Sequence, residues 1–350
     1  MSDAPFFDLR NLDADGKRAL LDRLKAWRAC AKPEELPGTI LRLGDRYISP
    51  DLEEKKAEAR RKDFIDCRQH PCAHFDYPPS RPVPASFSEA HAAIRILQPL
   101  PHATGLDLLS QVYTATFELD PGRDSKVEEV IVKVYQVSLY RDVPELEQYV
   151  DKDWDLWGMM SGMDEEWAYR KMKSLQGSIV PHAYGFFQVT LPHGEPSVAF
   201  IMEKIDPVSY QKIARRLKSR YATMEEALTV VVNPLLAAEH AVHTCNVSTA
   251  DISGLAWNML WQRDNFLETG PSLPVLIDFG IVSTIRNGTQ SIAIRRVVMV
   301  LRALGFDSKL IEAWMKSLTA SPNVELEDAH PGDEDVSEDS SNPSTLRHSS

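Results

Sequence analysis

The stretch Pro274-Val275-Leu276-Ile277-Asp278-Phe279-Gly280 reads as a short apolar strand that ends by releasing a carboxylate into a glycine turn. Many strands end in Asp-X-Gly turns, so the tripeptide gains its weight from what lies upstream. Working back along the chain, Glu165 and Lys133 are residues that could join Asp278 in one site.

Lys133 closes the run Val130-Ile131-Val132-Lys133, in which it alone interrupts the apolar pattern. A buried strand tolerates an ammonium only beside anionic partners. The alternative is an edge strand with its lysine in solvent. Glu165 offers a carboxylate partner. The segment from Asp164 to Gly177 has helical periodicity, with acids at its start and Gly177 and Pro181 as stop signals. Glu165, Ala168, Met172 and Leu175 share one face of that helix. Glu166 lies about 100° around it, and both glutamates also suit a helix N-terminus. Phe200-Ile-Met-Glu203 reads as a further strand.

Composition sets the frame. The chain has 350 residues, 43% hydrophobic and 26% charged, with formal net charge −12, which is ordinary for a globular protein and allows one large or two modest domains. Eight acids and only Arg347 among the bases fall between Glu325 and Ser350, so −7 of the −12 belongs to that segment. The body is thus nearly balanced, which argues against a nucleic-acid partner. No apolar run reaches the length of a membrane span, and the N-terminus lacks a secretory pattern. Cys30, Cys67, Cys72 and Cys245 are too scattered for a disulfide framework. An intracellular location, cytoplasmic or nuclear, is expected.

Four regions follow. Residues 1–93 hold an amphipathic helix (Leu20, Leu21, Leu24, Trp27) capped near Asp13 or Asp15, a charged helix over 51–64 and a Pro-rich link from Tyr77. Residues 94–206 are rich in strands, near 94–97, 111–119, 129–135, 184–191 and 197–203. Residues 207–319 are mainly helical, with a helix over about 224–244 bent or broken at Pro234 and short strands at 259–261 and 274–278. Residues 320–350 form an acidic tail expected to be disordered.

With these elements in order, Asp251, Asn258-Met-Leu-Trp261 and Leu276-Ile-Asp278-Phe-Gly280 resemble the catalytic loop and metal segment of the protein-kinase-like fold. More narrowly, Glu165, Ala168-Tyr169, Leu175-Gln-Gly177, Pro181 and Tyr184-Gly185 resemble the divergent kinase-like proteins of filamentous fungi. The resemblance covers roughly residues 95–318. It implies an α+β, two-lobed fold, with a small antiparallel β lobe carrying one helix, an abbreviated α lobe and an N-terminal helical extension. It also implies ATP and Mg2+ as cofactors, with a protein or small molecule as phosphate acceptor. Lys133 would contact the α- and β-phosphates and pair with Glu165, and Glu203 would lie where the strand leaving the small lobe meets adenine. Asp251 would orient or deprotonate an acceptor hydroxyl, and Asn258 and Asp278 would hold magnesium. The expected activity is ATP-dependent phosphoryl transfer. The alternative is a catalytically impaired pseudokinase serving as a nucleotide- or protein-binding module.

The departures bear on activity. The stretch Leu100–Val112, where a phosphate-covering loop would fall, has Gly105 alone and carries Asp107. Thr249-Ala250 replaces the His-Arg pair before the catalytic Asp. Asn258 stands seven residues after Asp251 rather than five. No Ala-Pro-Glu follows Gly280, so the acceptor-binding half is abbreviated. Elsewhere, Cys67, His70, Cys72 and His74 present four zinc-type ligands within eight residues, a crowded set for tetrahedral geometry. The basic helix Gln211–Arg220 suits an acidic partner, the chain's own tail or plain solvent. Trp154, Trp157, Met159 and Met160 read as packing residues.

Overall fold

The computed structural model describes residues 13–48, 80–83, 93–101, 103–105, 108, 110–118, 129–140, 157–249, 258–262, 274–280, 282–283 and 289–319. The charged 51–64 segment, the Cys67–His74 cluster, Asp107, Trp154, Asp251 and the acidic tail lie outside them.

The fold is α+β, built on a curled six-stranded antiparallel sheet. Its strands are β1 (Ile40–Arg42), β2 (Ala93–Pro99), β3 (Gln111–Phe117), β4 (Glu129–Tyr135), β5 (Ala183–Thr190) and β6 (Pro196–Glu203), in the order β1-β2-β3-β4-β6-β5. Lys133 therefore sits on a central strand, opposite Val112 on β3 and Phe200 on β6. The edge-strand alternative does not hold.

Strand alternation sorts the side chains. Val130, Val132 and Val134 join Ile94, Ile96, Tyr113, Ala199 and Ile201 in the core on one face of the sheet. Ile131 and Tyr135, with Phe186, Phe200 and Met202, lie on the other face, against Trp167, Ala168, Tyr169 and Met172. Those four belong to α2 (Trp157–Lys171) and the turn after it, between β4 and β5. Phe186 and Phe200 stack at 4.0 Å on this face.

The first region does more than contribute a helix. α1 (Ala14–Cys30) is capped by Asp13, whose side chain accepts from Gly16 N at 2.8 Å, and buries Leu20, Leu21 and Leu24 as its periodicity predicts. Its Arg28 donates to the carbonyls of Ser138 and Tyr140, each at 3.0 Å. The chain then pairs with β2 through β1 and passes to the opposite edge of the sheet. There Gly44 N donates to Gln188 O and Tyr47 N to Phe186 O, both at 2.8 Å, and Gln188 N returns a bond to Asp45 O at 3.0 Å. One short segment thus satisfies β2 and β5, the two outer strands that the rest of the sheet leaves unpaired.

After β6 come β7 (Pro207–Val208), α3 (Tyr210–Arg220) and α4 (Met224–Thr244). α4 is one continuous helix with the buried Pro234 inside it, so the expected break does not occur. α3 buries Ile213 and Leu217 and leaves Lys212, Arg215, Lys218 and Arg220 exposed, a solvated basic face. The chain continues with β8 (Ser248–Thr249), β9 (Met259–Gln262), β10 (Val275–Leu276), β11 (Val282–Ser283), α5 (Thr289–Ala303) and α6 (Ser308–Thr319). β9 lies between β7 and β10, and β8 pairs with β11. Arg296 of α5 meets Glu239 of α4 at 2.9 Å, both nearly inaccessible. No helix among the described residues is long and apolar enough to cross a membrane.

Candidate functional site

Lys133, Glu165 and Asp278 come from three separate elements and meet at one ammonium. Lys133 Nζ lies 3.0 and 2.9 Å from the two oxygens of Glu165 and 2.6 Å from Asp278 Oδ1. Lys133 and Glu165 are buried, whereas the Asp278 side chain is 43% exposed. The group therefore grades from a dry interior to an open end.

Each position follows from local structure. On β4 the odd-numbered residues face α2, which aims Lys133 at the helix. Glu165 and Ala168 on α2, with Met172 and Leu175 in the turn after it, are all buried, so the spacing places Glu165 on the core side although the helix ends at Lys171. The helix begins at Trp157, however, so Glu165 lies well inside it rather than at its N-terminal turn. Glu166 pairs instead with Arg170 at 3.3 Å, one turn along. Asp278 ends the β10 run. That run is tied to the turn after α2 by Leu276 N donating to Ile179 O at 2.7 Å.

Asp278 has φ +62°, in the left-handed region where a non-glycine residue costs about 1–2 kcal/mol. Such strain persists only where the surroundings enforce it. Here the Lys133 ion pair and the seating of Phe279 do so. Phe279 is fully buried and stands edge-on to Tyr169 of α2 at 5.5 Å. Its N–H donates to Glu165 Oε1 at 3.3 Å.

The electrostatics follow from two carboxylates sharing one ammonium. Burial works against the Lys133 ammonium, but Asp278 and Glu165 outweigh it and hold the group above the ordinary lysine range. The same ammonium holds Asp278 below the usual carboxylate range, against the effect of burial. Burial lifts Glu165, opposed by Lys133 and by the Tyr135 hydroxyl.

Asn258 comes beside this group through the backbone. Leu276 pairs with Met259, and Ile277 N donates to Asn258 O at 2.9 Å. Asn258 therefore lies across from the residue that precedes Asp278. Asp251 is outside the described residues, but Thr249, two positions earlier, pairs with Val282, four positions after Asp278.

Glu203 is tied into the protein at the end of β6. Its carboxylate receives Arg81 Nε at 2.5 Å and Nη2 at 2.9 Å, together with His182 N at 3.0 Å. Its own N–H donates to His182 O at 2.9 Å. Both groups are thus engaged within the protein. Glu203 also lies three residues along β6 from Phe200, the partner of Lys133, about 10 Å away at strand rise. Arg81 further donates to Ser178 O at 2.9 Å, so the Pro-rich link is anchored here.

The lone glycine of the 100–112 stretch has both backbone groups bonded. Gly105 N donates to Gln111 Oε1 at 2.6 Å, and Gln111 Nε2 donates back to Gly105 O at 2.8 Å. Sequence reasoning missed Gln111 and Arg81. It also missed Tyr135, whose hydroxyl donates to Glu165 Oε2; its spacing of two from Lys133 on one strand face was the available signal.

Among the described residues no cluster of three or more His, Cys, Asp or Glu could hold a metal ion unaided. One carboxylate with a neighbouring amide suits magnesium, which keeps several waters and takes further oxygens from substrate phosphates. The open-ended Asp278 offers such a carboxylate, and the backbone pairing brings Asn258 opposite the residue before it. The chain matches no protein-family model, and no curated protein matches its sequence.

Proposed function

We propose that the chain adopts a two-lobed, protein-kinase-like fold and that Lys133, Glu165, Asn258 and Asp278 form a Mg-ATP site for phosphoryl transfer. The observation that carries this reading is the single ammonium of Lys133, held at once by a helix carboxylate and by the carboxylate of Asp-Phe-Gly. Phosphoryl transfer is mostly positioning and charge neutralisation, and kinases require both a strand lysine–helix glutamate pair and an aspartate on magnesium.

Each residue then has a role. Glu165 orients Lys133, and Lys133 would exchange its bond to Asp278 for phosphate oxygens when nucleotide binds. Asp278 and Asn258 would hold magnesium, which supplies charge neutralisation on the phosphates when bound. Asp251 is assigned by resemblance to the acceptor hydroxyl. An antiparallel sheet with one inserted helix, followed by a mainly helical region, supports the two-lobe reading.

A second reading, a non-catalytic nucleotide- or protein-binding module, is favoured by Gln111. That side chain occupies both backbone groups of Gly105, where a phosphate-covering loop would present a free N–H. Calorimetric titration with Mg-ATP tests the site in the wild type, Lys133→Ala and Asp278→Asn. Magnesium-dependent binding lost in both variants supports the proposal, and an acceptor screen for phosphate transfer then separates the two readings. Absence of binding at millimolar ATP overturns the nucleotide site.

A further inference from the structure

We propose that Tyr135 is a positioning residue, whose hydroxyl holds the Glu165 carboxylate in the orientation in which that carboxylate fixes Lys133. As a claim about nucleotide binding this rests on the reading above; as a claim about Lys133 it does not.

The argument begins with the strand. Lys133 and Tyr135 are two residues apart on one face of β4, about 7 Å along it, so they reach a facing carboxylate from two sides. Glu165 is fully buried, and its two oxygens divide their donors evenly. Oε1 receives Lys133 Nζ at 3.0 Å and Phe279 N at 3.3 Å. Oε2 receives Lys133 Nζ at 2.9 Å and the Tyr135 hydroxyl. Removing the phenol leaves Oε2 dependent on Lys133 alone, the group that phosphates would draw away.

The ring also governs how closely the helix approaches. A methyl group built on Gly162 of α2 would stand 3.1 Å from Tyr135 Cγ and 3.2 and 3.3 Å from its Cδ atoms. Helix and ring are therefore in contact at a glycine, three residues before Glu165. Burial, with Glu165 next, raises the phenol well above the ordinary tyrosine range, so Tyr135 remains a donor. Tyr169, Lys133 and Asp278 are the other titratable groups acting around this carboxylate.

The test is a four-protein cycle of the full chain: wild type, Tyr135→Phe, Glu165→Gln and the double variant. Phenylalanine keeps the ring against Gly162 and removes only the donor. Two quantities are read, the Mg-ATP dissociation constant and the rate at which an amine-acylating reagent labels Lys133, followed by mass spectrometry without nucleotide. Tyr135→Phe alone is expected to weaken Mg-ATP binding about 5- to 30-fold, as loss of one partner of a buried charged group does. It is also expected to speed Lys133 labelling several-fold. In the Glu165→Gln background both changes should shrink below about twofold, because the two residues act as one unit.

Equal effects in both backgrounds, or none in either, overturn the proposal and leave Tyr135 as packing alone. If the wild type binds no Mg-ATP, the nucleotide reading fails by itself, and the labelling cycle still decides the role of Tyr135.

Discussion

Lys133 Nζ stands 2.6 Å from Asp278 Oδ1, across 145 positions of sequence, so the exposed carboxylate already shares the ammonium that the buried one holds. The two carboxylates stand in unequal surroundings, and the inequality can be measured. Lys133→Ala strands Glu165 in the interior and should cost about 3–5 kcal/mol of unfolding free energy, the usual penalty for breaking a buried ion pair. Asp278→Asn removes the half-exposed, solvent-screened partner and should change stability by no more than ~1 kcal/mol. Urea unfolding of both variants checks this; equal losses would contradict the graded environment.

His243 sets an acid limit. Burial, then Arg296 and His240, lowers its pKa from 6.5 to about 4. The imidazole is neutral in the folded chain, whereas the unfolded chain takes up its proton near the ordinary value. His243 thus contributes stability that is fully present above about pH 6.5 and is lost as pH falls toward 4. One proton is worth up to about 1.4 kcal/mol per pH unit. Between pH 6.5 and 5 the wild type should therefore lose roughly 2 kcal/mol more than His243→Gln. Parallel pH profiles for the two proteins would remove His243 from the account.

The Arg81–Glu203 pair joins a link segment to a strand end, with side chains only 14% and 12% exposed. Arg81→Ala should cost about 2–4 kcal/mol, toward the buried end of the ion-pair range. Amide exchange should quicken at His182, whose N–H donates to the same carboxylate. Arg18→Ala, which breaks an exposed pair on α1, should cost under ~0.5 kcal/mol. Comparable losses in the two variants would show that Arg81 is no anchor.

Gly177 ends the turn after α2 with φ +77°, and a Cβ there would lie 2.3 Å from both His182 Nε2 and Ser80 Oγ. Gly177→Ala should cost more than ~2 kcal/mol, combining backbone strain with a clash in a packed junction. Gly305 has φ +81° and open space around it, so Gly305→Ala should cost only ~1–2 kcal/mol. Thermal or urea unfolding of the pair separates collision from strain.

The sequence made Lys133 and Glu165 legible because each lies in a periodic element whose buried face can be counted, and Asp278 because an apolar run ends there in a glycine turn. It misplaced the start of α2 because Gly158, Ser161 and Gly162 are poor helix formers; packing of Gly162 against Tyr135 overrides that preference. Likewise, the burial of Pro234 keeps α4 continuous despite a missing donor. Arg81, the partner of Glu203, escaped notice because it lies 122 residues away in a segment with no periodicity to read. β1 escaped notice for a related reason: three residues carry too little alternation to mark a strand. Asp251 and the Cys67–His74 cluster fall outside the described residues, so the structure adds nothing to either reading.

The segment that runs from β1 to Tyr47 has a consequence for any attempt to isolate the rest of the sheet. A chain started at the head of β2, near where the kinase-like resemblance begins, would lose the bonds from Ile40–Arg42 to β2 and from Gly44–Tyr47 to β5. Both borders of the sheet would then display bare N–H and C=O groups, a template for recruiting strands from neighbouring molecules. Such a fragment would self-associate, and its insolubility would reflect missing caps rather than a defective site.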